Sequence, residues 1–505
     1  GGPPGSSDIT AYGVNNLWQP STGPYLSVKV SGYFSASSSA FAGWARNNYT
    51  FNDDLHWVKG SHSFAFGGHV ELSKFDVTNV FQGYGGFSFT SDSQTLKGVS
   101  IQYPNAAANY LLGFVSGGFG QGNYELLNDR AHFPGIYAQD SWKVSRHLNL
   151  DYGVRWEQFA PWVNRVGKQT AFSPTAYAAN TGTSQYALAT AAGTPGLPAG
   201  MVLSGDSGFP ANGINSKNAQ FMPRIGFAYD VFGNGKTVVR GGAGVFYQDR
   251  LQGFFNLNQA GNVPNTISVA LTNPGMLTAS GNSPGGPFSN PYCENGCGGK
   301  GTPYTNPFPF TLPFSSSQVF PNNFLVDEFP PSGSLPVPVT YDYNLTIEHE
   351  IAAGWAVRAA GVSSASRHLF VNQELNPAVN TGSGLSTNQR RVYNTAPTIG
   401  PCASKVGCNT NYSDIIEASM SGAAHFNSLQ LTLSKKMSHG LSLLANYTWS
   451  KSYDDMPQAT NVSNTEDLNA GESYVYPLYP AASVSTGIPA ASYVSDIKAI
   501  DRGLS

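Results

Sequence analysis

The chain has 505 residues and a formal net charge of −3, from 27 Lys and Arg against 30 Asp and Glu. Only 11% of residues are charged while 13% are aromatic, well below the roughly one quarter charged that is usual for soluble domains. That balance, with no basic stripe, argues against nucleic acid as the main partner, and no run approaches the ~20 apolar residues of a spanning helix.

Five pairs of alternating runs follow in chain order. The first joins Tyr49, Phe51, Leu55 and Trp57 to Phe64, Phe66, Gly68, Val70 and Leu72 through the turn Lys59 to His62. The second joins Ile136 to Trp142 with Leu148 to Trp156 through Lys143 to His147, with Asp140 falling on the apolar face of its run. The third leads from Ile225 to Val231 through Gly233-Asn234-Gly235 to Thr237 to Tyr247. The fourth runs Tyr341 to Ile351, turns at Ala352-Ala353-Gly354 and returns through Trp355, Val357 and Ala359. The fifth is Leu429, Leu431 and Leu433, a turn from Lys436 to Gly440, then Leu441 to Trp449. A period of two places alternate side chains on opposite faces of a strand. Gly and Asn between such runs supply the positive φ of hairpin turns.

Between hairpins, 158–221, 249–340, 366–426 and 451 onward are rich in Gly, Pro, Ser, Asn and Thr and show little periodicity. Loops of this length count against a compact soluble sheet but suit a membrane barrel with short turns on one side and long loops on the other. Leu148 to Trp156 spans roughly 26 Å at about 3.3 Å per residue. Tilted by about 40°, it covers roughly 20 Å of the ~25 Å apolar band. Trp57, Trp142 and Trp355 lie beside the short turns, and Trp156, Trp162, Tyr247 and Trp449 at the opposite ends, as interfacial girdles would. A mean hydropathy of −0.22 suits alternating lipid-facing and water-facing residues.

The fold expected is all-β: a partial, transmembrane, antiparallel up-and-down β-barrel with short periplasmic turns and long extracellular loops. Its polar face, by phase, carries Asn149, Asp151, Arg155, Arg240, Asn344, Glu348, Gln430, Thr432, Asn446 and Thr448 as lumen-facing candidates. These would line a path, pack on a plug, or form only the wetted side of a sheet. Cys293 with Cys297 and Cys402 with Cys408 form two local pairs inside long loops. Close spacing favours two loop disulfides in an oxidising compartment over a metal site.

No catalytic constellation stands out, and no cofactor or metal is expected. Gly233 to Thr237 resembles the end of a phosphate-binding loop, but its first Gly is missing and a strand follows. Gly117 to Gly122 misses the dinucleotide spacing, and His56, His62 and His69 are split between two strands and a turn. The chain starts at Gly1 without a signal-peptide pattern and stops in loop-like sequence, so it is expected to be a fragment.

Trp57 to Glu71, Ala107 to Gly117, Tyr137 to Phe159, Met222 to Gln248 and Asn427 to Asp455 resemble TonB-dependent receptors, nearest to the Oar-like barrels of Gram-negative outer membranes. The resemblance implies that residues 1–505 are the central part of one 22-stranded barrel in the outer membrane. The regulatory-like domain, plug, TonB box and last strands are not recognisable in the chain. It further implies outer-membrane lipid, an extracellular ligand and, through the missing N-terminal region, the TonB complex as partners. Uptake energised by TonB is the leading function; a passive porin and a surface or adhesion barrel are the alternatives. Asp249 to Thr340 is the best candidate for a capture loop.

Overall fold

The computed structural model describes residues 27–36, 42–79, 85–96, 99–103, 105–123, 125–189, 195–248, 256, 259–271, 290–292, 306–308, 314–315, 318–320, 324–377, 391–394, 412–438 and 440–454. Among them, ten long strands form one antiparallel meander. They are β1 (Ala42–Lys59), β2 (His62–Asn79), β3 (Glu125–Lys143), β4 (Leu148–Phe159), β5 (Lys217–Asp230), β6 (Thr237–Tyr247), β7 (Val339–Ala352), β8 (Trp355–Glu374), β9 (Tyr412–Ser438) and β10 (Leu441–Asp454). Each pairs with its neighbour in sequence. Among the described residues no pairing joins β1 to β10, so the sheet is a partial barrel.

All five expected hairpins are present. In two of them glycine takes the left-handed conformation that a tight turn needs: Gly60 has φ of 61° between β1 and β2, and Gly354 has φ of 76° between β7 and β8. The other connections are long, so short and long links alternate along the meander. Asp140, out of phase in the sequence, sits on the apolar face beside Phe64 and Tyr152. Its Oδ2 accepts from His62 Nδ1 at 2.6 Å and from the Tyr152 hydroxyl at 2.9 Å. His62 in turn stacks between Phe64 and Trp142.

The strands exceed the expected runs. β9 has 27 residues, about 85 Å at ~3.3 Å each, whereas about eleven residues of tilted strand cross a bilayer. Ser366–Glu374 and Tyr412–Phe426, read as loop from the sequence, are therefore strand extensions that stand clear of the membrane.

The described parts of the long connections fold together at that end. A five-stranded sheet runs in the order Ser268–Leu271, Gly118–Gly122, Gly86–Phe89, Ser27–Val30 and Phe34–Ala36. Thr170–Phe172 pairs with Met201–Leu203. Two short helices are capped by side chains: Asn105 Oδ1 accepts from the amides of Ala107 and Ala108, and Ser173 Oγ from that of Ala176. One apolar cluster joins these pieces, including Phe87, Phe119, Phe172, Leu203, Val269 and Tyr412. We call this assembly the cap.

Candidate functional site

Pairing in register puts each strand's residues on a common face with its neighbours. Asn149 and Asp151 oppose Ala228 and Gly226; Ala228 opposes Arg240; Arg240, Asn344 and Glu348 follow through the β6–β7 pairing. Through β8, Thr346 leads to Gln430 and Glu348 to Thr432, and these oppose Thr448 and Asn446. All ten polar candidates therefore share one face. The other face carries Tyr152, Val154, Ile225, Leu345 and Ile347, each 44–60% exposed and covered by no other part of the described chain.

Several of these polar residues meet. Arg240 and Glu348 pair at 3.6 Å, and the Thr432 hydroxyl donates to Asn446 Oδ1 at 2.9 Å. Arg155 gives the densest group: its Nε donates to Glu157 Oε1 at 2.6 Å and its Nη2 to His69 Nδ1 at 3.0 Å. Here a concavity of about 750 Å³ opens on the polar face, lined among others by Asn52, Asp54, His69, Tyr137, Gln139, Asp151, Arg155 and Arg224. Charges of both signs on a rigid sheet suit a polar, hydrogen-bonding occupant. His69, Tyr137 and Arg224 were not singled out in the sequence as lining this face, although the period of two that selects Arg155 also selects them. His56 opposes Ala65 one strand over and does not meet His69.

The cap holds a second polar system that no periodicity announces. Buried amide side chains stitch three long connections together. Asn256 Nδ2 donates to Asp129 Oδ2 at 2.6 Å, and Gln169 Nε2 to Asn256 Oδ1 at 3.2 Å. Asn262 Nδ2 donates to Thr170 Oγ1 and to the Asp327 carbonyl, both at 2.6 Å, while its Oδ1 accepts from the Asp327 amide at 3.1 Å. Asn265 Nδ2 donates to the Lys168 carbonyl at 2.7 Å, and Asn123 Nδ2 to that of Asn265 at 3.2 Å. Asp129 is fully buried, and burial pushes its carboxyl up to about 7, with the Asn256 bond and the Arg130 charge pulling the other way. The four cysteines lie outside the described residues.

Residues 2–483 match the family described as an outer membrane beta barrel domain. The chain belongs to that family. Its strands are thus transmembrane strands of an outer-membrane β-barrel, as the sequence pattern predicts. No curated protein matches the chain. Among solved structures, it is similar to the outer membrane transporter YddB from Escherichia coli at 12% identity, covering 85% of this chain and 37% of that one with a TM-score of 0.40. The copper transporter OprC matches at 9% identity over 81% of this chain and 39% of that one, with a TM-score of 0.34. The siderophore receptor PirA from Pseudomonas aeruginosa matches at 12% over 82% and 51%, with a TM-score of 0.27. This outer-membrane barrel thus spans between 37% and 51% of the length of those three chains.

Proposed function

We propose that the chain is part of the barrel of an outer-membrane receptor that imports an extracellular ligand with energy drawn through TonB. In this reading the polar face, with Asn149, Asp151, Arg155, Arg240, Asn344, Glu348, Gln430, Thr432, Asn446 and Thr448, faces the lumen. The plug and the TonB-contacting segment come from outside residues 1–505, and Cys293–Cys297 and Cys402–Cys408 staple extracellular loops. The observation that carries the reading is one continuous polar face, with a concavity at Arg155, running beneath a cap of long connections. The sequence resemblance to TonB-dependent receptors supplies the energised step. Uptake of candidate ligands by a strain lacking the full-length gene, and by one lacking TonB, tests it. Loss of the same uptake in both strains is the expected result. Uptake lost with the gene but retained without TonB makes the barrel a passive pore. Surface attachment lost while no uptake changes makes it an adhesin.

A further inference from the structure

The upper part of β9 carries an added strand on the edge that β10 occupies lower down. Phe324–Glu328, from the third long connection, pairs with it in parallel: Phe324 with Tyr412, Val326 with Ile415, Asp327 with Ile416 and Glu328 with Glu417. On the other flank, Gln373 opposes Glu417 and Glu374 opposes Ile416. Two adjacent rows across three strands therefore contain four acids, and Asp414 makes a fifth. Phe324 and Val326 anchor the added strand in the cap's apolar cluster.

Among the described residues, the charge on these acids is balanced only in part. Arg391 is the only cation paired with them among the described residues. It is fully buried, and it is spent on Asp414 at 2.5 Å and Glu374 at 3.7 Å. Glu328 is fully buried as well; the Phe172 amide donates to its Oε2, and its Oε1 has no hydrogen-bond partner among the described residues. Tyr412, Tyr177 and Tyr393 also pack against this seam, and the Tyr412 and Tyr177 hydroxyls donate to backbone carbonyls. Among the described residues, no three acids converge as the ligands of one cation would. Buried carboxyls without a counter-charge hold protons instead.

We propose that Phe324–Glu328 is a proton-dependent latch, docked on β9 while its acids and their neighbours are protonated and releasing the third long connection as those protons leave. Burial pushes Asp327 and Glu417 up to about 7, with the charge of Asp414 adding to the effect at Asp327. It pushes Glu328 well above the usual range, with Glu417 adding to it. The groups lie about twenty residues beyond the short turns, where about eleven cross the bilayer. An acid that binds its proton more tightly when docked favours docking fully below its free pKa of about 4. For Asp327 and Glu417 that preference falls as pH rises and levels off above about 7; for Glu328, raised further, it goes on falling.

Hydrogen exchange of the full-length protein in outer-membrane vesicles tests the latch, with rates corrected for the intrinsic pH dependence of amide exchange. Between pH 5 and pH 8 the protection of residues 324–328 is expected to fall by about tenfold or more, since one such acid alone carries up to about a thousandfold. Amides of β1 and β2 near Gly60 are expected to stay constant. The double variant E328Q/E417Q is expected to flatten the profile; D327N alone, a milder change, is expected to reduce its slope. A flat wild-type profile overturns the proposal, as does an unchanged slope in the variants. Protection that rises with pH and disappears with a chelator also overturns it, because a cation would then balance the acids.

Discussion

Tyr137 and Asp54 lie on β3 and β1, with β2 between them, yet the phenol donates to Asp54 Oδ1 at 2.7 Å. The bond crosses directly over Gly67, where an added Cβ would overlap both Asp54 Oδ1 and the Tyr137 ring. At the adjacent Gly68 a Cβ would meet its nearest neighbours at an ordinary 3.4 Å. Gly67→Ala is therefore expected to destabilise the folded barrel by about 1–3 kcal/mol, as overpacking does, and Gly68→Ala by much less. Urea titrations of folding into lipid vesicles measure both.

The two faces of β4 give a direct test of which side meets lipid. Val154 is 44% exposed and near the middle of the spanning segment, so Val154→Arg is expected to cost about 2–4 kcal/mol. Asp151→Arg on the polar face is expected to cost under about 1 kcal/mol. Equal costs in the same titration would reverse or abolish the assignment. Gly153 is unsuited to this comparison, because a Cβ there would sit 2.6 Å from Gln139 Cβ.

Asp140 on the apolar face depends on His62 and Tyr152 for its hydrogen bonds. Removing His62 leaves this buried carboxyl with Tyr152 as its one side-chain donor, whereas removing both His62 and Asp140 need not cost much. His62→Phe is expected to cost about 1–3 kcal/mol, and adding Asp140→Leu to recover most of it. Folding titrations of the single and double variants distinguish this from a simple loss of ring stacking, which the double variant would not restore.

Arg391 holds Asp414 and Glu374 together inside the cap. Arg391→Met leaves those carboxyls without a cation, and breaking such a buried pair costs about 3–5 kcal/mol. Limited proteolysis on vesicles is expected to cut the cap of the variant far faster than that of the wild type, while β1–β2 stays protected.

Asp129 lies about fourteen residues from the short turn on β3, beyond the roughly eleven that cross the bilayer. Its carboxyl is raised to about 7 by burial. The sign follows: the seam to Asn256 is most stable below about pH 4 and weakens as pH rises to about 7. Asp129→Asn is expected to flatten that dependence. Exchange of amides at 128–130 across pH 5 to 8 measures it.

The membrane-crossing halves of the strands were legible because one face meets lipid and the other does not, which imposes a period of two from Leu148 to Trp156 and in the other runs. Above the membrane that asymmetry ends. Tyr412, Ile415, Ile416 and Ala418 are buried by the cap, so the upper part of β9 mixes buried apolar residues with Asp414 and Glu417 and shows no alternation. The cap itself was hidden for a different reason. Asn256, Asn262 and Asn265 look like loop composition, and only long-range bonds to Asp129, Thr170 and Lys168 reveal them as a packed seam. The polar-face residues were recoverable from phase alone, but the grouping of Arg155 with His69 needs the register of three strands.

Every pairing in the meander joins consecutive strands, so each new hairpin can be laid against the last as the chain arrives. The cap obeys the opposite rule. Its contacts link Phe172 to Glu328 and Asn123 to Asn265, across separations of 156 and 142 residues, and such distant closures form slowly. Contacts are thus local along the wall and long-range in the roof, a difference that predicts pairing of the wall before closure of the roof.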